Sequence, residues 1–85
     1  MTVVNITRVT GKQALIWYFK IEVNKDFIGW VVYYRDSGYR YYTRPYGMDS
    51  KPDESVVSAA YRLVDNFVTN EAIEDEVLSW TYFIV

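Results

Sequence analysis

Apolar and polar positions alternate most strictly over residues 14–23. Leu15, Trp17, Phe19, Ile21 and Val23 fall to one side of an extended chain, and Ala14, Ile16, Tyr18, Lys20 and Glu22 to the other. A period of two held over that length predicts a β-strand with one buried face. Residues 3–10 are rich in Val, Ile and Thr and read as a strand before it, with Gly11-Lys12 as a two-residue turn. Turn residues recur at Asn24-Lys25-Asp26 and at Asp36-Ser37-Gly38. Between and after them, residues 27–34 and 39–44 are dominated by β-branched and aromatic side chains, so they read as a third and a fourth strand. Pro45 stops the fourth, because it lacks the N–H that a ladder needs.

The period then changes. Ser50 followed by Asp53 resembles a capping box, Pro52 suits a first helical turn, and Asp53 and Glu54 suit the positive end of the helix dipole. Val56, Val57, Ala60, Tyr61, Leu63, Val64, Phe67 and Val68 gather on one side of a helical projection. Ser55, Ser58, Arg62, Asp65, Asn66 and Thr69 take the other side, so an amphipathic helix is predicted over about residues 53–69, with Asn70 as its C-cap. Residues 77–85 are again β-branched and aromatic and read as a last strand. The expected fold is a single α+β domain over residues 1–85. A four-stranded antiparallel meander is followed by one amphipathic helix packed on one face and by a C-terminal strand, in the order β-β-β-β-α-β. That last strand is expected to return to an edge of the sheet; the alternative is that it leaves the domain to pair with a second copy.

Tight turns set register, and register sets which side chains face the helix. A turn at Gly11-Lys12 puts Ile6 opposite Trp17. One at Lys25-Asp26 puts Ile21 opposite Trp30 and Phe19 opposite Val32. One at Ser37-Gly38 puts Tyr34 opposite Tyr41. The covered face then holds Val4, Ile6, Leu15, Trp17, Phe19, Ile21, Val23, Ile28, Trp30, Val32 and Tyr34. The open face holds Ile16, Tyr18, Lys20, Val31, Tyr33, Arg35, Arg40, Tyr42 and Arg44. The middle turn is the weak step: a three-residue loop at Asn24-Lys25-Asp26 would instead put Phe27, Val31 and Tyr33 inside.

Composition narrows the chemistry. The chain has 85 residues without Cys or His, which excludes disulfides, thiolate zinc sites and His-dependent triads. No cofactor is implied, and enzyme activity is not expected. The aromatic share is 19%, from nine Tyr, four Phe and three Trp, more rings than so small an interior can hide. The N-terminal residues lack the pattern of a secretory signal and no apolar run reaches the length of a membrane span, so a cytoplasmic protein is expected. The net charge of −2 is unevenly spread. Residues 1–51 carry eight Lys/Arg against four Asp/Glu, and residues 52–85 carry Arg62 against seven acids. A basic face and an acidic face can result.

The candidate site is a binding surface. Residues 33–46 contain six Tyr and three Arg, the residue types that dominate interface hot spots. The expected contact residues are Tyr18, Lys20, Tyr33, Arg35, Arg40, Tyr42, Arg44 and Tyr46, together with the loop of residues 45–49. A second, acidic contact is expected at Glu71, Glu74, Asp75 and Glu76, whose spacing matches no calcium-binding loop. In general character the chain resembles small phage or mobile-element accessory proteins: one compact α+β domain, aromatic-rich, acidic, without Cys or His. That resemblance covers no specific motif. It implies an inhibitor of a host defence system or housekeeping enzyme. The expected function is therefore non-catalytic inhibition or regulation of a larger protein or complex by surface contact. The alternatives are a single-stranded nucleic-acid or nucleotide-binding module, with bases on Tyr and phosphates on Arg, and a structural or assembly subunit. A homodimer through the last strand or the open face is a further expectation.

Overall fold

The computed structural model describes residues 1–48, 52–70 and 79–84. The elements are β1 (Thr2–Arg8), β2 (Ile16–Val23), β3 (Asp26–Tyr34), β4 (Arg40–Thr43), α1 (Glu54–Asn70) and β5 (Ser79–Ile84). All five strands form one antiparallel sheet in the order β4-β3-β2-β1-β5, so the α+β architecture and the return of the last strand to an edge are as the sequence predicts. Among the described residues no helix is long and apolar enough to cross a membrane.

The helix lies on one face. Val56, Ala59, Ala60, Leu63, Val64 and Phe67 from α1 close over Val4, Ile6, Trp17, Phe19, Ile21 and Val31. All but Ala59 and Val31 are positions expected from the helical period and from the alternation in β1 and β2; Val31 was expected on the open face. Each large buried side chain contributes roughly 1.5–3 kcal/mol.

Three registers differ from expectation. Between β1 and β2 the observed pairs are Val4↔Val23 and Ile6↔Ile21. The connection is a wider loop, in which Ala14 N–H donates to the Gly11 carbonyl, rather than a tight turn. The shift is an even number of residues, so the inward set survives except for Leu15, which falls in the loop and is 74% exposed.

The second difference reverses a face. The β2–β3 turn is Asn24-Lys25, both with positive φ, in the mirror-image form that suits a twisted hairpin. Val23 pairs with Asp26 and Glu22 with Phe27, but Ile21 pairs with Gly29. Ile28 is the extra residue of a β-bulge. From Gly29 onward the parity of β3 is inverted: Val31 and Tyr33 face α1, and Trp30, Val32 and Tyr34 face away. This is the parity of the slipped alternative, reached by a bulge rather than a longer loop, and Phe27 stays outside at 39% exposure.

Third, β4 pairs Val32 with Tyr41 and Tyr33 with Arg40. It is two residues off the expected register, so it inherits the inverted parity of β3.

Candidate functional site

The face of the sheet opposite α1 is covered by no element among the described residues. Its β2–β4 half is aromatic. Tyr18 lies opposite Val32, and Val32 lies opposite Tyr41. Around this axis two groups of rings assemble. Phe27 packs edge-on to Trp30 at 5.2 Å between centroids, and Tyr18 edge-on to Trp30 at 6.3 Å. Tyr34, Tyr39 and Tyr41 form a triangle with centroids 5.8–6.3 Å apart. The hydrogen bond with Tyr34, and then desolvation, raise the pKa of the Tyr41 phenol. Beneath these rings Val32 is only 1% exposed, although no helix covers it. Lys20 lies 5.8 Å from the Phe27 ring centroid and 4.0 Å from Glu22. These two are the charged side chains of the paired strands on this face.

The β1–β5 half carries a polar cluster next to Val3 and Phe83. Asn5 Nδ2 donates to Ser79 Oγ at 2.8 Å and to Thr81 Oγ1 at 2.9 Å, and Thr7 Oγ1 donates to Asn5 Oδ1 at 3.2 Å. The open surface is thus an aromatic field bordered by hydroxyls and an amide.

The expected contact residues are divided by the bulge. Tyr18 and Lys20 stand on the open face. Tyr33, Arg35, Arg40 and Tyr42 do not, which corrects the reading of a mixed Tyr/Arg surface. Tyr33 faces the core beside Trp17, 6.3 Å between centroids. Arg35 Nη1 donates to the Lys12 and Ala14 carbonyls, both at 3.0 Å, and its guanidinium lies 4.7 Å from the Trp17 centroid. It fastens the β1–β2 loop. Arg40 donates to both oxygens of Asp65 on α1, at 2.7 and 2.9 Å, and lies 4.4 Å from the Tyr61 ring centroid. The hydrogen bond to Asp65 raises its already high pKa. The Tyr42 backbone N–H donates to the Tyr61 hydroxyl at 2.8 Å, and the Tyr42 hydroxyl donates to the Ile28 carbonyl. Burial raises the pKa of the Tyr42 phenol, and nearby Arg44 lowers it. Three side chains assigned to recognition from sequence instead hold β4 and a loop to the body of the domain.

Arg44 and Tyr46 lie past the end of β4 and are exposed. Glu71, Glu74, Asp75 and Glu76, and Asp49 of the 45–49 loop, lie outside the described residues.

The expected contact residues omit Phe27, Trp30, Tyr34, Tyr39 and Tyr41, of which Trp30 and Tyr34 were expected on the covered face. The signal was present in Gly29, since a glycine inside a strand marks a bulge.

Two open grooves flank α1. One of about 350 Å³ is lined by Tyr42, Pro52, Glu54, Val57, Ser58 and Tyr61. The other, about 200 Å³, lies between α1 and β5. Among the described residues no three acidic side chains gather as a metal site. Compared with family models, curated proteins and solved structures, the chain matches none of them.

Proposed function

We propose that this protein is a non-catalytic binding protein that engages a larger protein through the open aromatic face of its sheet, and so inhibits or regulates it. The observation that carries this reading is the aromatic field itself. Six rings, from Tyr18, Phe27, Trp30, Tyr34, Tyr39 and Tyr41, gather on the β2–β4 half of this face, where the charged side chains of the described strands are Lys20 and Glu22. Tyr and Trp bring large contact area with few torsions to freeze, and they dominate interface hot spots. The scarcity of cations among the described strand residues of this face favours a protein over a nucleic acid. A polynucleotide partner needs guanidinium or ammonium groups beside the stacking rings, whereas Arg35 and Arg40 are engaged on the α1 side. Inhibition of a host enzyme by occupying its surface is the role we assign, in keeping with the accessory proteins that the chain resembles.

The test is capture of partners from a host lysate on immobilised wild-type protein and on Tyr18→Ala, Trp30→Ala and Tyr39→Ala variants. Each variant should melt near wild type yet bind the captured partner at least about tenfold more weakly, a loss of about 1–2 kcal/mol. The dependence on salt should be shallow. Unchanged binding by all three variants rejects the face as the binding site. A steep log–log decline with salt would instead identify a phosphate backbone as the partner.

A further inference from the structure

The two edges of the sheet are not alike. On the β4 edge Tyr42 gives its backbone N–H to Tyr61, the strand and its end carry Arg40 and Arg44, and Pro45 follows. Charges, proline and a capped N–H are the devices by which proteins keep an edge strand from pairing further. β5, at the opposite edge, shows none of them among the described residues. Its sequence, Ser79–Ile84, contains no charged residue and no proline, and among the described residues nothing pairs with its outer side.

Which β5 groups point outward follows from β1. Val3 uses both backbone groups on the β2 side: its carbonyl accepts from Asn24 N–H at 2.8 Å, and its N–H donates to Asn24 Oδ1 at 2.9 Å. Backbone direction alternates residue by residue in an antiparallel ladder. Thr2, Val4 and Ile6 therefore bond to β5, through Ile84, Tyr82 and Trp80. The N–H and C=O groups of Ser79, Thr81 and Phe83 point to the open edge.

We propose that β5 pairs with β5 of a second copy of this chain, antiparallel and about a twofold axis at Thr81. Only registers that set outward residues against outward residues can form a ladder. Centring on Thr81 engages all three of them: Ser79 meets Phe83 of the second copy, Thr81 meets Thr81, and Phe83 meets Ser79. Their side chains lie on the open face, where Phe83 is 56% exposed in the single chain. On the helix side the same register sets Trp80 of the second copy against Tyr82, an aromatic cross-strand pair. Tyr82 lines the groove between α1 and β5 with Ser55, Ser58, Ala59, Arg62 and Ile84, so that ring arrives at the groove's mouth. A strand without charge meets no like charge in its own copy, and twofold pairing closes the edge instead of propagating it.

The experiment uses the full chain. Sedimentation from low to high micromolar concentration should show a species of twice the 10.1 kDa chain mass. Over the same range, amide hydrogen exchange at Thr81 and Phe83 should slow by at least tenfold. Trp80, Tyr82 and Ile84, bonded to β1, should stay protected throughout. Thr81→Lys and Thr81→Glu should each be monomeric and their equimolar mixture dimeric, because the axis brings the two side chains together. A single-chain mass at every concentration overturns the proposal. So does exchange at Thr81 and Phe83 that ignores concentration, or a mixture that stays monomeric. Loss of the dimer on Tyr39→Ala would move the interface to the aromatic face and overturn it too. The exchange measurement needs no variant, so it decides the matter even if a substituted chain folds poorly.

Discussion

Gly29 is the residue on which the orientation of half the sheet turns. Its φ of 140° is one that L side chains rarely adopt, and a Cβ there would run into the Thr43 carbonyl and the Tyr42 ring. Gly29→Ala combines backbone strain, worth about 1–3 kcal/mol, with a clash against a neighbouring strand. A loss above about 3 kcal/mol in denaturant unfolding is expected, and a loss under about 1 kcal/mol would mean that β4 does not approach this glycine. Tyr42 holds the same region by its side chain. Removing its hydroxyl with Tyr42→Phe leaves the Ile28 carbonyl without that donor and should cost about 1 kcal/mol. The pH dependence has a definite sign. Burial raises the Tyr42 pKa above the ordinary tyrosine value, so the neutral form is favoured in the folded protein. That contribution is complete below the ordinary value and is lost as pH rises through the raised one. Urea midpoints measured from about pH 9 to about pH 11 should fall less steeply for Tyr42→Phe than for wild type. An identical slope would mean that the Tyr42 phenol is not favoured neutral by folding.

At the scale of elements, α1 and β2 were legible because their periods are strong. The helix was predicted within a residue of its observed ends, and every second residue from Trp17 to Ile21 is buried as expected. Ala60 sits at the centre of the contact and is 0% exposed. Ala60→Asp puts a charge there with no partner, and the melting transition should drop severely or disappear. An unchanged melting temperature would contradict the packing of α1 on the sheet. β3 was the element misread. It is apolar or aromatic at nearly every position from Phe27 to Tyr34, so both parities satisfy the pattern and the alternation has nothing to choose between. The bulge decided it, and the consequences passed along the ladder to β4. Arg40 and Tyr42 were rightly grouped on one face with Tyr33, but that face is the one α1 covers.

For the whole molecule, chain order and space combine in a way that local pattern only partly foretells. The last strand crosses back to pair with the first, so Val4 and Ile6 lie beside Tyr82 and Trp80 across a long stretch of chain. One helix can cover one face of a five-stranded sheet, and composition already required that some of the sixteen rings be left outside. The two surfaces we assign to binding, the aromatic face and the β5 edge, are what remains when that helix and the guarded β4 edge are accounted for. Element order, the helix and most of its buried stripe, the inward face of β1 and β2, and the existence of an exposed aromatic surface were all legible in the chain, because each follows from period, turn chemistry or the limited interior of a small domain. Which rings form that surface was set by how the strands pack together in space. Two-residue turns and bulges differ by one residue, and one residue reverses a strand's two faces. The choice was made by contacts distant in sequence, among them the approach of β4 to Gly29 and the seating of Arg40 on Asp65 and of Tyr42 on Tyr61.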